Sequence, residues 1–170
     1  MSDATILTET PPLRAMYAPI GEQARVPITG NHTKRVVFGA LNIHTGHAVF
    51  LITTHWDALC FQAFLRLVRS TWRGWHIVLF LDRGSPHKAH DTQLLAEELG
   101  IQIRWLPPAT PELNALEGLW RNGKNQILAN QTTKTIDDSA DQFCHYLLAL
   151  SPTERLNMAG VLSGTFWLKN

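Results

Sequence analysis

The chain has 170 residues, 45% of them hydrophobic and 17% charged, with eleven Gly and nine Pro, which suits one folded soluble domain with its own core. No apolar run approaches the ~20 residues of a membrane helix and the polar start does not resemble a signal peptide, which excludes membrane and secreted classes and suggests the cytoplasm. A formal net charge of +1 argues against a protein that only grips nucleic acid, while permitting a catalytic domain whose acidic ligands offset a local set of cations.

Residues 7–32 are rich in Pro and Gly (Pro11, Pro12, Pro19, Gly21, Pro27, Gly30) and suggest an irregular, hairpin-like excursion. Lys34–Ile43 and His47–Thr54 are β-rich runs joined by a short turn at Gly46, the pattern of an antiparallel hairpin. Asp57–Ser70 carries Gln62, Arg66 and Arg69 as a narrow polar stripe on an otherwise apolar helix, with Cys60 among its apolar positions. Cys60 and Cys144 have no metal-type spacing and are expected to be buried and reduced.

His76–Leu81 is a short continuous apolar run, expected of a central strand covered on both faces. Pro86–Leu99 suggests one helix, with Pro in its first turn and Gly100 beyond its end. Ile101–Leu106 is a further strand, and after Pro107-Pro108 a helix is expected from about Pro111 to Ala129. Two more helices are expected over 136–150 and 152–162. Trp75, Trp105 and Trp120 are expected to serve core packing. The order predicts an α/β protein with a mixed sheet between helices. A dinucleotide fold is excluded, since neither GxGxxG nor GxxxxGK[ST] occurs.

Two carboxylates stand out. Asp82 ends the most apolar strand, at the carboxyl rim where α/β sheets collect ligands, yet Asp-Arg-Gly-Ser-Pro is equally good turn chemistry. Glu117 sits at the edge of a helical stripe formed by Leu116, Leu119, Trp120, Gly123 and Ile127, with Arg121 and Lys124 on its exposed side. It is either a metal ligand facing a phosphate backbone or half of an i,i+4 Glu117–Arg121 surface pair.

Taken together, the strings around them decide more. LFLDRGSPHKAH followed by IRWLPPATPELNALEGLWR resembles a strand ending in Asp-Asn with a downstream His, then a strand and LPPYSPDLNPIE-x-x-W. This is the signature of mariner-like DDE transposases, above all the bacterial insertion sequence 630 family. The 34 residues (83–116) between Asp82 and Glu117 match the gap that family leads one to expect. Family members also carry a first Asp in a string like DET, five residues, PPLRA. Here Asp3-Ala4-Thr5 precedes Pro11-Pro12-Leu13-Arg14-Ala15 in matching register. By position alone Asp3 would be a frayed terminal residue.

The resemblance implies a ribonuclease H-like α/β fold, a mixed central sheet flanked by helices, over residues 1–170. It implies Asp3, Asp82 and Glu117 as catalytic residues and ligands of two Mg²⁺, with Mn²⁺ able to substitute. The reaction would be cleavage and strand transfer on double-stranded DNA, at the element's ends and a TA-containing target, by a homodimer in the bacterial cytoplasm and nucleoid. Asn114 would orient Glu117 or a phosphate, and Arg121 and Lys124 would contact the backbone. His87 matches the family's downstream His and is either a group that contacts DNA or a leaving group or a plain first-turn helix residue. His87 and His90 lack the further ligands a zinc site needs.

The sequence departs from the family in three ways. An N-terminal helix-turn-helix recognition region is not in the 170 residues. Nearly all of the strand expected to carry the first Asp is missing, since only Met1 and Ser2 precede Asp3. Ala4, Arg83 and Tyr17 stand where Glu, Asn and Trp are usual. The departures leave two functions open: a strand transferase acting with an upstream recognition part, or an inactive remnant that binds DNA or pairs with an intact transposase. An isolated ribonuclease H-type nuclease is a third.

Overall fold

In the computed structural model, which describes residues 1–170 other than 24, 27, 29, 31, 132 and 170, two strand ladders are sandwiched by helices. Strands β1 (Ser2–Thr8), β2 (Lys34–Leu41) and β3 (Ala48–Thr53) pair antiparallel in that order. Strands β4 (Ile77–Leu81) and β5 (Ile101–Trp105) pair parallel, and β4 contacts β1. The mixed α/β architecture expected from the element order is present. The hairpin falls where its turn residues put it, with Gly46 in the left-handed region at φ 70°.

β2 is the central strand of its ladder and divides two apolar clusters by simple alternation. Val36, Phe38 and Ala40 face helix α1 (Ala58–Thr71), meeting its Phe61, Phe64, Leu65 and Val68. Those four recur at i, i+3, i+4 and i+7, the spacing that lays one helix face on a sheet. Asp57 caps this helix by accepting from the Cys60 N–H at 2.8 Å. Val37 and Leu41 point the other way, into a cluster built by helices α4 (Leu116–Gly123) and α5 (Ile136–Ala149). A two-pronged Arg35–Asp137 ion pair, 2.6 and 2.8 Å, ties β2 to the start of α5. Helix α6 (Pro152–Met158) begins with a Ser151–Glu154 capping box.

Several expectations need correction. Asp3 does have a strand under it: β1 runs on after it to Thr8, and Asp3 pairs with Gly39 in the ladder. Most of the support comes from the residues that follow Asp3, while Met1 and Ser2 bond to Leu41 and Gly39 of β2. Residues 9–33 form no strand pair among those described, so the excursion is irregular, as expected, and adds no strands of its own between the antiparallel β1 and β2; Pro27 lies outside the described residues.

The helix expected over Pro86–Leu99 is two, α2 (Ser85–Lys88) and α3 (His90–Glu98), because Ala89 is extended at ψ 135°. There the Gln93 side chain, rather than a helical N–H, donates to the His87 carbonyl. The helix expected from Pro111 is a 3-10 turn (Pro111–Leu113), then α4, then a π-helical turn (Lys124–Leu128). It breaks at Asn114, whose side-chain Oδ1 accepts from the Leu116 N–H at 3.2 Å. Both cysteines are free, but Cys60 is only half-buried. Trp75 is 57% exposed and does not belong to the core.

Candidate active site

Asp82 follows the last residue of β4, and the turn reading and the rim reading are both true of it. Its Oδ1 accepts from the Gly84 N–H at 3.0 Å, closing a turn, while the side chain remains 57% exposed at the rim. The same oxygen lies 2.7 Å from His87 Nδ1. The bond to His87 holds the Asp82 carboxyl below the usual carboxylate range, with the Gly84 N–H adding to the effect. An ionised carboxylate only accepts, so Nδ1 carries the proton. His87 itself is buried against Phe61, ring centroids 4.3 Å apart, and its Nε2 has no partner among the described residues.

Asp3 is the most constrained of the three. Its Oδ2 accepts from Trp120 Nε1 at 2.9 Å. Its ladder partner Gly39 makes room for that indole: a Cβ there would lie 2.5 Å from Trp120 Cη2 and 2.9 Å from Phe50 Cδ1. Burial pushes the Asp3 carboxyl up to about 6, and the charges of Glu117 and Asp82 push the same way.

Glu117 stands exposed in the first turn of α4 and forms no ion pair with Arg121 among the described residues, so the surface-pair alternative is not realised. Asn114 is buried just before this helix. Its Nδ2 donates to the Ser2 carbonyl at 3.1 Å while its Oδ1 accepts from Leu116 N–H, so one amide joins the residue before Asp3 to the residue before Glu117.

All three carboxylates line one depression of about 390 Å³, with Asn114, Arg83 and the 107–111 loop on its wall. Ala109 in that loop holds a left-handed backbone, φ 56°, a strained conformation of the kind that gathers at working sites. Among the described residues no three Asp, Glu, His or Cys side chains are already drawn together around an ion-sized gap. As donors the three carboxylates suit Mg²⁺, a hard cation that takes oxygen ligands and keeps waters in its remaining positions. A cation among them would also offset the repulsion from Glu117 and Asp82 that adds to the effect of burial on Asp3.

Of the other expected residues, Lys124 is half-buried and Arg121 exposed, both on a groove that shares Glu117 with the carboxylate depression. Burial lowers the Lys124 ammonium, while Glu117 and Asp3 pull it back up. Sequence reasoning missed Gly39 and the polar role of Trp120. The Trp three residues after the Glu in the family string was the available signal for Trp120. Nothing local marked Gly39, whose role depends on a side chain 81 positions away.

The model of the DDE superfamily endonucleases matches residues 1–139. The chain belongs to that family. It is 32% identical over 109 residues to an uncharacterized protein, y4pE/y4sA, of Sinorhizobium fredii (strain NBRC 101917 / NGR234), covering 64% of this chain and 78% of that one. It is 26% identical over 134 residues to the uncharacterized 39 kDa protein of insertion element IS630 from Shigella sonnei, covering 78% of this chain and 39% of that one. The Mos1 mariner paired end complex with Mn superposes with a TM-score of 0.71 at 14% identity, over 95% of this chain and 51% of that one. The DDE chain therefore spans about half of the Mos1 polypeptide and less of the insertion-element protein. The fold is the ribonuclease H-like one, and the resemblance to the insertion sequence 630 group holds. No helix among the described residues is long and apolar enough to cross a membrane.

Proposed function

We propose that this chain is the catalytic domain of a transposase that cuts DNA at the ends of an insertion element and joins them to target DNA. The observation that carries the reading is the convergence of Asp3, Asp82 and Glu117, from β1, the end of β4 and α4, on one depression. Separate rigid elements supply the three groups, as a site that must hold its geometry requires.

Asp3, Asp82 and Glu117 would together hold two Mg²⁺ or Mn²⁺ ions through their carboxylate oxygens. When bound, such a pair activates the attacking oxygen and stabilises the leaving one in an in-line displacement at phosphorus. The chain's own residues do the positioning. His87 and the Gly84 N–H occupy Asp82 Oδ1 and leave Oδ2 clear of them. Trp120 holds Asp3 by one oxygen, and Asn114 fixes the spacing between β1 and α4. Arg121 and Lys124 contact phosphates without reading sequence. The partners are double-stranded DNA, a TA-containing target, a second copy of the chain and an upstream recognition region, acting on the bacterial nucleoid.

The test is metal-dependent nicking of a plasmid carrying the element's ends, by the chain with its upstream-encoded region. Nicking is expected with Mg²⁺ or Mn²⁺, and its loss by at least about a hundred-fold is expected in Asp82→Asn and in Glu117→Gln. Nicking that persists in either variant overturns the site assignment. No nicking by the wild-type chain, with metal bound, favours the inactive remnant.

A further inference from the structure

Beside the carboxylates runs a wider groove of about 890 Å³, reaching Glu117 and Pro111 at one end and walled by Trp120, with Glu112 also on its lining. Arg121 and Lys124 project into it from α4 and the π-helical turn. The third cation, Arg14, arrives from a different part of the chain, the irregular segment after β1.

That segment is pinned rather than draped. Asn130 holds it at both polar edges of Arg14: the Arg14 N–H donates to Asn130 Oδ1 at 2.9 Å, and Asn130 Nδ2 donates to the Arg14 carbonyl at 3.0 Å. The Asn130 N–H adds a bond to the Pro12 carbonyl at 3.1 Å. Asn130 adopts φ 57°, a left-handed conformation that Asn tolerates better than most residues.

The guanidinium is aimed as well. Arg14 Nε donates to Asn125 Oδ1 at 2.9 Å, and its two Nη groups make no hydrogen bond with a described residue. Asn125 sits in the π-helical turn directly after Lys124, and such turns recur where a helix is reshaped for function. One face of an exposed guanidinium is thus used for orientation, and the other is presented to the groove as a fork of the kind that fits phosphate oxygens.

We propose that this groove carries the sugar–phosphate backbone of the DNA strand leading to the carboxylates, with Arg14 as a phosphate-binding residue set in place by Asn125 and Asn130. The proposal rests on the DNA-processing reading of the site and adds to it the path of the strand and a residue that fixes it.

The test uses the full 170-residue chain, a fluorescein-labelled duplex of random sequence, and EDTA so that no strand is cut. Binding is followed by anisotropy across about 50 to 200 mM salt, where the slope of log affinity against log salt counts phosphates neutralised. Arg14→Gln is expected to lower the slope by about 0.9 and the affinity about five-fold at low salt. Arg14→Lys is expected to keep the wild-type slope, because the charge stays. The proposal is overturned if Arg14→Gln keeps the wild-type slope, if Arg14→Lys loses as much slope as Arg14→Gln, or if the wild-type chain binds with no salt dependence. None of these outcomes depends on nicking, so the binding track and the catalytic assignment fail separately.

Discussion

The indole of Trp120 donates to the carboxylate of Asp3 at 2.9 Å, a bond between residues 117 positions apart that joins the first strand to the helix carrying Glu117. A Trp in the core normally needs only one polar partner for its N–H, and here that partner is a metal-ligand candidate. The same ring stacks on Phe143 and packs on Phe50, with centroids 5.9 and 5.6 Å away. Core packing therefore sets the aim of Asp3. Trp120→Phe keeps most of the apolar contact and deletes the donor. It is expected to cost about 2 kcal/mol, the range for a hydrogen bond to a charged group. Metal-dependent nicking should fall about ten-fold, by misplacing one ligand of three. Urea unfolding and single-turnover nicking measure the two effects, and unchanged nicking would remove Trp120 from the site.

Asp3 makes its own contribution to pH dependence. Burial raises its carboxyl to about 6, above an unfolded value near 3.8, so the folded chain binds the proton more tightly. Stability therefore falls as pH climbs between about 4 and about 6, and the whole penalty is present above that window. Asp3→Asn still offers an oxygen to Trp120 and carries no charge. It is expected to be more stable than wild type at pH 7.5, on the order of 2 kcal/mol, and indistinguishable from it at pH 4. Saturating Mn²⁺ should raise the melting temperature of the wild type and leave Asp3→Asn nearly unmoved. Equal stabilities at pH 7.5 would mean that Asp3 is not held ionised against a penalty.

Legibility followed the range of the interaction. Asp82 could be placed at a strand end because the apolar run Ile77–Leu81 is a local pattern, and Glu117 at a helix edge because its apolar neighbours recur at helical spacing, but only the strings around them made the pair site candidates. What escaped depends on partners distant in the chain. Seven residues at the start of a chain hold too little pattern to announce a strand, and β1 is defined by its pairing with β2, whose partners lie 26 to 38 positions on. The breaks at Ala89 and Asn114 interrupt helical patterns that continue through them. Gln93 accounts for one locally, whereas Asn114 also answers to the Ser2 carbonyl 112 positions away. Trp120 is buried as its stripe position implies, and its N–H carries the part that periodicity does not reveal.

Gly39 extends that argument to a residue with no chemistry of its own. Its Cβ-free backbone faces the Trp120 ring, and Gly39→Ala would put a carbon 2.5 Å from Cη2. The ring must move, since Phe50 closes the other direction at 2.9 Å. Overpacking of this kind costs about 1–3 kcal/mol. The further expectation is that nicking falls by more than the folded fraction does, because the displaced ring takes the Asp3 donor with it. Circular dichroism at the assay temperature, beside the nicking rate, separates the two. Loss of activity in strict proportion to unfolding would reduce Gly39 to a packing residue.

His87 holds Asp82 by one oxygen, and its effect should be readable as metal affinity. Removing a group that orients a ligand typically costs 10–100-fold in binding. His87→Ala is expected to weaken Mn²⁺ binding at pH 7.5 about ten-fold, followed by calorimetry. It also empties a buried space against Phe61. His87→Asn separates cavity from hydrogen bond, because an Asn amide reproduces the position of Nδ1 and not the rest of the ring. It should recover most of the Mn²⁺ affinity while recovering little of the lost stability. The Asp82 carboxyl provides a second reading: its titration, followed by carbon NMR, should move up toward the ordinary carboxylate value in His87→Ala, since the bond that depresses it is gone. An Asp82 titration and a Mn²⁺ affinity that both stay at wild-type values would make His87 a core residue that happens to touch the site.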